Sequence, residues 1–363
     1  MKKFSQFKRI RKEIDQIDKN ILKLLHKRIN LVQELKSLKI SSNISVYQPS
    51  REKEILNSII KLNKNIFPEK SLYNIFTEIF SASRKIQSKL KIGYLGPQAT
   101  FTHLAALKIF GSESLYIPFT TIRDIFIEVE TEYIDFGVVP IENSNEGVVG
   151  YTMDLLIEFN HSIVDEIYLE IAHHLVSTEK DLNRIKFLYA HPQSIAQCRI
   201  FIENNLSKVK IIETTSTSEA AKTVSKKKNS AALASKLAAQ IYNLNIIAEN
   251  VQDNINNYTR FLVISKSPLL PEKNIEYKTS IVCGIKDRPG ALFELIKPFN
   301  DYKINMTKIE SRPTKKKAWE YMFFIDFSGK ITNKKVKKAL AEIEKNSTYF
   351  KILGSYPAAK GVK

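Results

Sequence analysis

The sequence predicts three successive domains of different class: an all-α unit, a larger α/β unit and a small α+β unit of ferredoxin-like order. Three observations carry this. Residues 5–90 contain no glycine and repeat apolar residues at helical spacing. From Lys91 short apolar strands alternate with helices, and from Thr279 the order becomes β-α-β-β-α-β. A chain of 363 residues has room for several compact units, and its 43% hydrophobic content can supply their cores.

In the first unit Ile10, Ile14, Ile17, Ile21, Leu24, Leu31, Leu35 and Leu38 alternate by four and three, except that Arg28 fills one slot. This is a long helix with one charge in its seam. Pro49 can open a second helix, with Ile55, Ile59 and Leu62 on one side. Pro68-Glu69 opens a third through Leu72, Ile75, Phe76 and Ile79. In the α/β unit the expected strands are 92–95, 136–139, 187–189, 209–212, 231–234, 246–248 and 261–264, in largely parallel sheets. The last unit reads as strand 279–286, a helix after Pro289-Gly290, strands 304–311 and 318–327, helix 332–345 and strand 349–355. Domains are expected at 1–90, 91–268 and 278–357, with Lys266 to Lys278 as the linker. There are no internal repeats.

The formal charge of +18 raises nucleic-acid binding, but the lysines are spread over every segment rather than clustered with aromatics. That spread fits a biased coding composition, or a field that attracts small polyanions. Lys226-Lys227-Lys228 and Lys315-Lys316-Lys317 read as solvated turns. The basic start lacks the apolar run of a signal peptide, and no later stretch has the roughly 18 apolar residues of a membrane span. Cys198 and Cys283 are too few for a disulfide framework or a cysteine zinc site. His103, His173 and His174 lack acidic companions at metal spacing. A cytoplasmic enzyme without metal is the expectation.

Arg28 on an apolar seam is either a satisfied ion pair or a ligand-facing group. Lys39 lies about 20° around the helix from Arg28 and roughly 16 Å along it, so both can lean into one pocket from its two ends. Arg11 lies about 25 Å from Arg28 along the same axis, too far to meet the same small molecule. If it contributes, it comes from another subunit or from a bent-back chain.

The pattern Arg11, Arg28, Lys39, Arg51-Glu52 and Ser83 with Gln87 resembles the site of the helical chorismate mutases fused to prephenate dehydratase. The resemblance implies that the first helices of two subunits pair and that Arg11 crosses into the partner's pocket. It implies a cofactor-free intramolecular rearrangement, in which Arg11 and Arg28 grip two carboxylates. Lys39 and Gln87 would donate to the ether oxygen, while Arg51, Glu52 and Ser83 order the ring hydroxyl and a carboxylate. Gln48 stands where some members carry an acid.

In the α/β unit four polar motifs follow strands: Gly96 to Thr102, Pro140 to Ser144, His191-Pro192-Gln193 and Thr214 to Ser218. They would open toward one cleft. Ser216 with Glu219 also reads as a capping box. These motifs, with Gln197-Cys198 and Thr259-Arg260-Phe261, resemble prephenate dehydratase in their order. The implied fold has two lobes around a cleft, like type-II periplasmic binding proteins: one from about 91–167 plus a returning strand near 259–266, the other between them. By the resemblance Thr259 acts at the leaving hydroxyl, followed by Glu142 and Asn143. Gln197 positions, Thr100, Thr102 and Ser144 line the substrate, and Arg260 binds a carboxylate or braces the fold. As proton donor Glu142 would need a raised pKa. His191 either holds its loop or moves protons, and Cys198 reads as a buried small side chain. Ala99 replaces the family's usual glycine and Ala190 its usual serine.

In the last unit Asp287 to Leu292 turns at a glycine, and Glu310-Ser311-Arg312-Pro313 ends a strand. Their order resembles the ACT regulatory domain of the same enzymes. This implies a phenylalanine site across a dimer interface, built by Gly290, Ala291 and Leu292 with Glu310 and Ser311. The expected ligands are thus chorismate, prephenate and phenylalanine, in a homodimer or higher homo-oligomer with neither nucleic acid nor membrane as partner. A prephenate dehydrogenase would need G-x-G-x-x-G, which Ile92 to Pro97 lacks. A non-catalytic sensor would not need Arg11, Arg28, Lys39, Glu142 and Thr259.

Overall fold

The computed structural model describes residues 2–42, 44–269, 275–313 and 321–359. The run Lys315 to Lys317, the start of the strand expected at 318 and residues 270–274 of the linker lie outside them.

The helical unit consists of α1 (Lys2–Ser41), α2 (Pro49–Asn63) and α3 (Glu69–Gln87). Pro49 occupies the first turn of α2, where its missing N–H costs nothing. The apolar stripe of α1 is not covered by its own chain: Phe4, Phe7, Ile10, Ile14, Ile17, Ile21, Leu24, Leu31, Leu35 and Leu38 are exposed. Below it α2 and α3 fold back against the larger domain.

The first lobe holds β1 (Lys91–Leu95), α4 (Phe101–Phe110), β2 (Leu115–Phe119), α5 (Ile122–Glu130), β3 (Phe136–Asn143), β4 (Gly147–Val148), α6 (Gly150–Glu158) and β5 (Ser162–Glu170). The second holds β6 (His174–Ser177), β7 (Phe187–Ala190), α7 (Pro192–Gln197), α8 (Arg199–Asn205), β8 (Lys210–Glu213), α9 (Thr217–Val224), β9 (Ser230–Ala234), α10 (Lys236–Ile241) and β10 (Asn245–Ala248). Strand β11 (Tyr258–Ser265) returns to the first lobe, giving sheet orders β2-β1-β3-β11-β5 and β10-β6-β9-β7-β8.

These sheets are mixed rather than largely parallel. Strand β1 runs parallel to β2 and β3, and β7 to β8 and β9, but β11 is antiparallel to both β3 and β5. Strands β6 and β10 are antiparallel as well. Parallel neighbours need a crossover connection, and the segments that pass between lobes supply none. Strand β5 escapes sequence reading because buried Asp165 and Glu166 interrupt its apolar run.

The C-terminal unit comprises β12 (Tyr277–Ile285), α11 (Ala291–Asp301), β13 (Met306–Pro313), β14 (Tyr321–Ser328), α12 (Lys334–Asn346) and β15 (Tyr349–Pro357), in an antiparallel sheet ordered β13-β14-β12-β15. Its helices cover one face through Leu295, Phe299, Val336, Leu340 and Ile343. The other face joins the first lobe, where Val282, Met322, Phe324, Leu353 and Tyr356 share a core with Leu155, Ile163 and Leu262. The approach is close enough to require glycine, since a Cβ at Gly354 would overlap the Ile163 carbonyl. Tyr47 ties in the helical unit, packing on Phe110 and Phe136 and donating to Asp165 at 2.6 Å.

Candidate active sites and sensor segments

In the helical unit Arg28 donates to the Ser83 hydroxyl, joining α1 to α3. Lys39 directs N–H groups at the carbonyls of Ser45 and Val46, at 3.4 and 3.2 Å, which aims its ammonium. Gln87 donates to the Ser83 carbonyl at 3.2 Å, and its buried Oε1 has no partner among the described residues. Glu52 on α2 ion-pairs with Arg84 of α3. Burial holds the Glu52 carboxyl above its ordinary pKa, against the pull of Arg84 and Lys39. Burial lowers Arg28 and Lys39 in turn, and Glu52 opposes it at both. The result is a half-buried cluster of cations around one carboxylate, suited to a small polyanion that also carries a hydroxyl.

Between the lobes lies a cavity of about 310 Å³, lined by Thr100, Thr102, Asn143, His173, Gln197 and Thr259 among others. Register places Thr259 directly beside Asn143 and Arg260 beside Glu142. Successive strand residues face opposite sides, so Thr259 and Asn143 share the cleft face. Asn143 Nδ2 donates to Thr259 Oγ1 at 2.8 Å and to Asn257 Oδ1 at 2.9 Å. Its Oδ1 accepts from the backbone N–H groups of Asn145 and Glu146, at 2.9 and 3.2 Å, which determines the amide orientation. Asn257 donates to Gln197 Oε1 at 3.2 Å, and His173 Nε2 lies 3.0 Å from the same oxygen. Burial lowers the His173 pKa and favours the neutral ring, in which Nε2 carries the donated proton. A chain of hydrogen bonds thus crosses both lobes and ends at a threonine whose oxygen accepts from Asn143. That leaves its proton available for a bond into the cavity.

A chorismate mutase type II model matches residues 10–88, a prephenate dehydratase model 92–269 and an ACT model 279–345. A bifunctional chorismate mutase/prephenate dehydratase of Aquifex aeolicus is 46% identical over 98% of both chains. The chain belongs to the bifunctional chorismate mutase/prephenate dehydratase family. It therefore joins an isomerase, which rearranges chorismate to prephenate, to a lyase, which converts prephenate to phenylpyruvate. The like-named Pseudomonas aeruginosa protein is 38% identical over 98% of both chains. A solved prephenate dehydratase of Arthrobacter aurescens in complex with L-Phe aligns with TM-score 0.68 and 32% identity, covering 74% of this chain and 92% of that one.

The dehydratase domain places several expected residues elsewhere. Glu142 faces away from the cleft and pairs with Lys308 of β13 in the ACT domain at 2.7 Å. Ser144 accepts from the Tyr258 N–H and donates to the Asn256 carbonyl, bracing a loop rather than lining the cavity. Arg260 is buried and fully engaged: Nε donates to Glu166 at 2.8 Å, Nη1 to Asp326 at 2.6 Å and Nη2 to Tyr356 at 2.9 Å. Strand alternation is the reason in each case, since the neighbours of Thr259 and Asn143 must point toward the ACT domain. Of the two roles open to Arg260, the geometry fits bracing.

Thr100 caps α4, accepting from the His103 N–H and donating to the Leu95 carbonyl, while Thr102 lines the cavity. His191 caps α7 through its ring, which also borders the cleft. Burial pushes the Cys198 thiol up to about 12, so it is no thiolate. Ala99 has φ of +72°, in the left-handed region that glycine adopts without steric cost.

In the mutase domain Arg28, Lys39, Glu52, Ser83 and Gln87 come together, whereas Arg51 is exposed and pairs with Glu54 on its own helix. Gln48 precedes α2 without making a side-chain cap and borders a different cavity, with Ser45 and Tyr47. Arg11 is exposed on the uninterrupted α1, its guanidinium 4.2 Å from the Phe7 ring, and cannot bend back to Arg28. Gly290, with φ of +80°, opens α11 ahead of Ala291 and exposed Leu292. Glu310 and Ser311 lie on β13, which β14 separates from β12.

Sequence reading missed Arg84, His173 and Asn257. Asn257 was findable, because it stands two residues before Thr259 and so shares its face. His173 and Arg84 carry no such signal.

Proposed function

We propose that each reaction uses the residues gathered around its cavity. In the mutase step Arg28, with Arg11 of a second subunit, grips the carboxylates of chorismate. Lys39 and Gln87 donate to the ether oxygen as its bond breaks, and Glu52 and Ser83 order the ring hydroxyl and a carboxylate. In the dehydratase step Thr259 donates to the leaving hydroxyl, held by Asn143. Gln197 and the helix starts at Thr100 and Thr217 receive the polar ends of prephenate. The observation that carries this reading is the Asn143 to Thr259 hydrogen bond at 2.8 Å, which leaves the threonine proton free for the substrate.

The chain works as a homodimer in this reading, which the exposed stripe of α1 and the distance of Arg11 from Arg28 along it both support. Phenylalanine binds across paired ACT domains at Gly290 to Leu292 and Glu310-Ser311. It inhibits through contacts that grip the catalytic strands from behind, namely Lys308 to Glu142 and Asp326 to Arg260. The enzyme is cytoplasmic and needs neither cofactor nor metal. A cofactor-free time course from chorismate tests this, following prephenate and phenylpyruvate with and without phenylalanine. Passage through prephenate, slowed by phenylalanine, is expected. Prephenate that accumulates unchanged would sink the dehydratase assignment.

A further inference from the structure

Arg84 is the most enclosed charge among the described residues of the helical domain, with its side chain 3% exposed against 19% for its partner Glu52. One Nη donates to Glu52, and the other donates to the carbonyl of Phe110 at 2.7 Å. That carbonyl ends α4 and belongs to the dehydratase lobe. The guanidinium also lies 5.5 Å from the Tyr47 ring and 5.9 Å from that of Phe110, and the two rings pack at 4.7 Å. An arginine engaged on both arms has no fork to offer a substrate. Among the described residues, Glu52 is the member of the mutase cluster to which it hydrogen-bonds directly.

We propose that Arg84 is a positioning residue of the mutase reaction, which sets the Glu52 carboxylate from a seat built partly by the dehydratase lobe. This rests on the reading of Glu52 as the group that orders the ring hydroxyl. The groups facing Glu52 are Lys39 and Arg28 from α1, Arg84 from α3 and Asp165 from β5, with Tyr47 and Tyr73 alongside. Burial alone favours the neutral acid, and Arg84 is the largest influence that opposes it. Ionised, Glu52 accepts a hydrogen bond from the substrate's hydroxyl. Without Arg84 it ionises only at higher pH, and one of its oxygens loses its anchor. The mutase site is therefore completed by the neighbouring domain.

The test is a double-mutant cycle on the full chain with Arg84→Met, Glu52→Gln and both together. Each protein is assayed as mutase across pH and as dehydratase on added prephenate. Arg84→Met is expected to lower mutase kcat/KM about ten- to hundredfold, the loss of one charge-assisted hydrogen bond. The acid limb of its pH profile should move to higher pH. Arg84→Lys, which keeps the charge but not the fork that spans Glu52 and the Phe110 carbonyl, should fall between it and the unaltered chain. In the Glu52→Gln background Arg84→Met should add less than about twofold. Dehydratase activity should not change. If Glu52→Gln keeps full mutase activity, the reading of Glu52 itself is wrong. If Glu52→Gln is impaired but Arg84→Met acts additively with an unmoved pH profile, Arg84 does not work through Glu52. Parallel loss of dehydratase activity would make the arginine a purely structural brace. Should Arg84→Met not fold, Arg84→Lys carries the same cycle, with a smaller loss and the same direction of shift.

Discussion

Replacing Thr259 by valine keeps the shape of the side chain and removes one hydroxyl, and the surrounding hydrogen bonds set the size of the effect. Asn143 is saturated by two donated bonds, at 2.8 and 2.9 Å, and two accepted ones, at 2.9 and 3.2 Å. The threonine oxygen therefore serves Asn143, and in the mechanism proposed above its proton serves the substrate. On that reading valine deletes the donor to the departing hydroxyl, a loss of about 10²- to 10³-fold in kcat, or about 2.7–4 kcal/mol. It also leaves one Asn143 N–H unpaired, which costs about 1–3 kcal/mol of stability. The two effects separate because the mutase activity of the same chain reports folding. The assay is phenylpyruvate formation from prephenate, run beside chorismate consumption. Thr259→Ser, which restores the hydroxyl, should recover most of the rate. A valine variant whose dehydratase kcat stays within about threefold of the original would refute the role, since that corresponds to well under one hydrogen bond.

Arg260→Met should leave buried Asp326 without its ion-pair partner and Glu166 with Lys278 alone, and destabilise the dehydratase and ACT domains by about 3–5 kcal/mol, measured by urea denaturation. An effect confined to KM, with native stability, would return Arg260 to the substrate. Arg11→Ala and Arg28→Ala should each abolish most mutase activity. Mixed after subunit exchange they should regain about a quarter of it, because half the dimers carry one intact site; no recovery would place both arginines in the same subunit's pocket. His103 accepts the Ala99 N–H at 3.1 Å through Nδ1, and burial lowers its pKa to about 4. The unfolded chain binds this proton below about pH 6.5 while the folded chain does not, so stability is full above that value and falls as pH drops toward 4. His103→Gln should flatten this part of the dependence in urea midpoints; an unchanged slope would count against it.

The order of the three domains and most of their elements could be read directly, because periodicity and turn residues are local. The heptad-like seam of α1, Pro49 at the start of α2 and Gly290 before α11 depend on neighbours within a turn or two. The distance from Arg11 to Arg28 was also legible, since an unbroken helix is a ruler. Motif order likewise brought Thr259, Asn143 and Gln197 to one cleft.

Tertiary structure decided which face each strand turned to that cleft. Glu142 and Asn143 are adjacent in sequence, yet only the packing of the ACT sheet behind β3 and β11 settles that Asn143 looks inward and Glu142 meets Lys308. The same packing turns Arg260 from a candidate ligand into the centre of a buried ionic cluster with Glu166 and Asp326. Strand β5 stayed hidden because the partners that make Asp165 and Glu166 tolerable in a core, Tyr47, Lys53, Arg260 and Lys278, come from three domains. Arg84 gave no sign either, as its meaning lies in a carbonyl 26 residues away and a carboxylate 32 residues away. Local spacing determines elements, whereas a buried charge acquires its role only from groups that the finished fold carries to it.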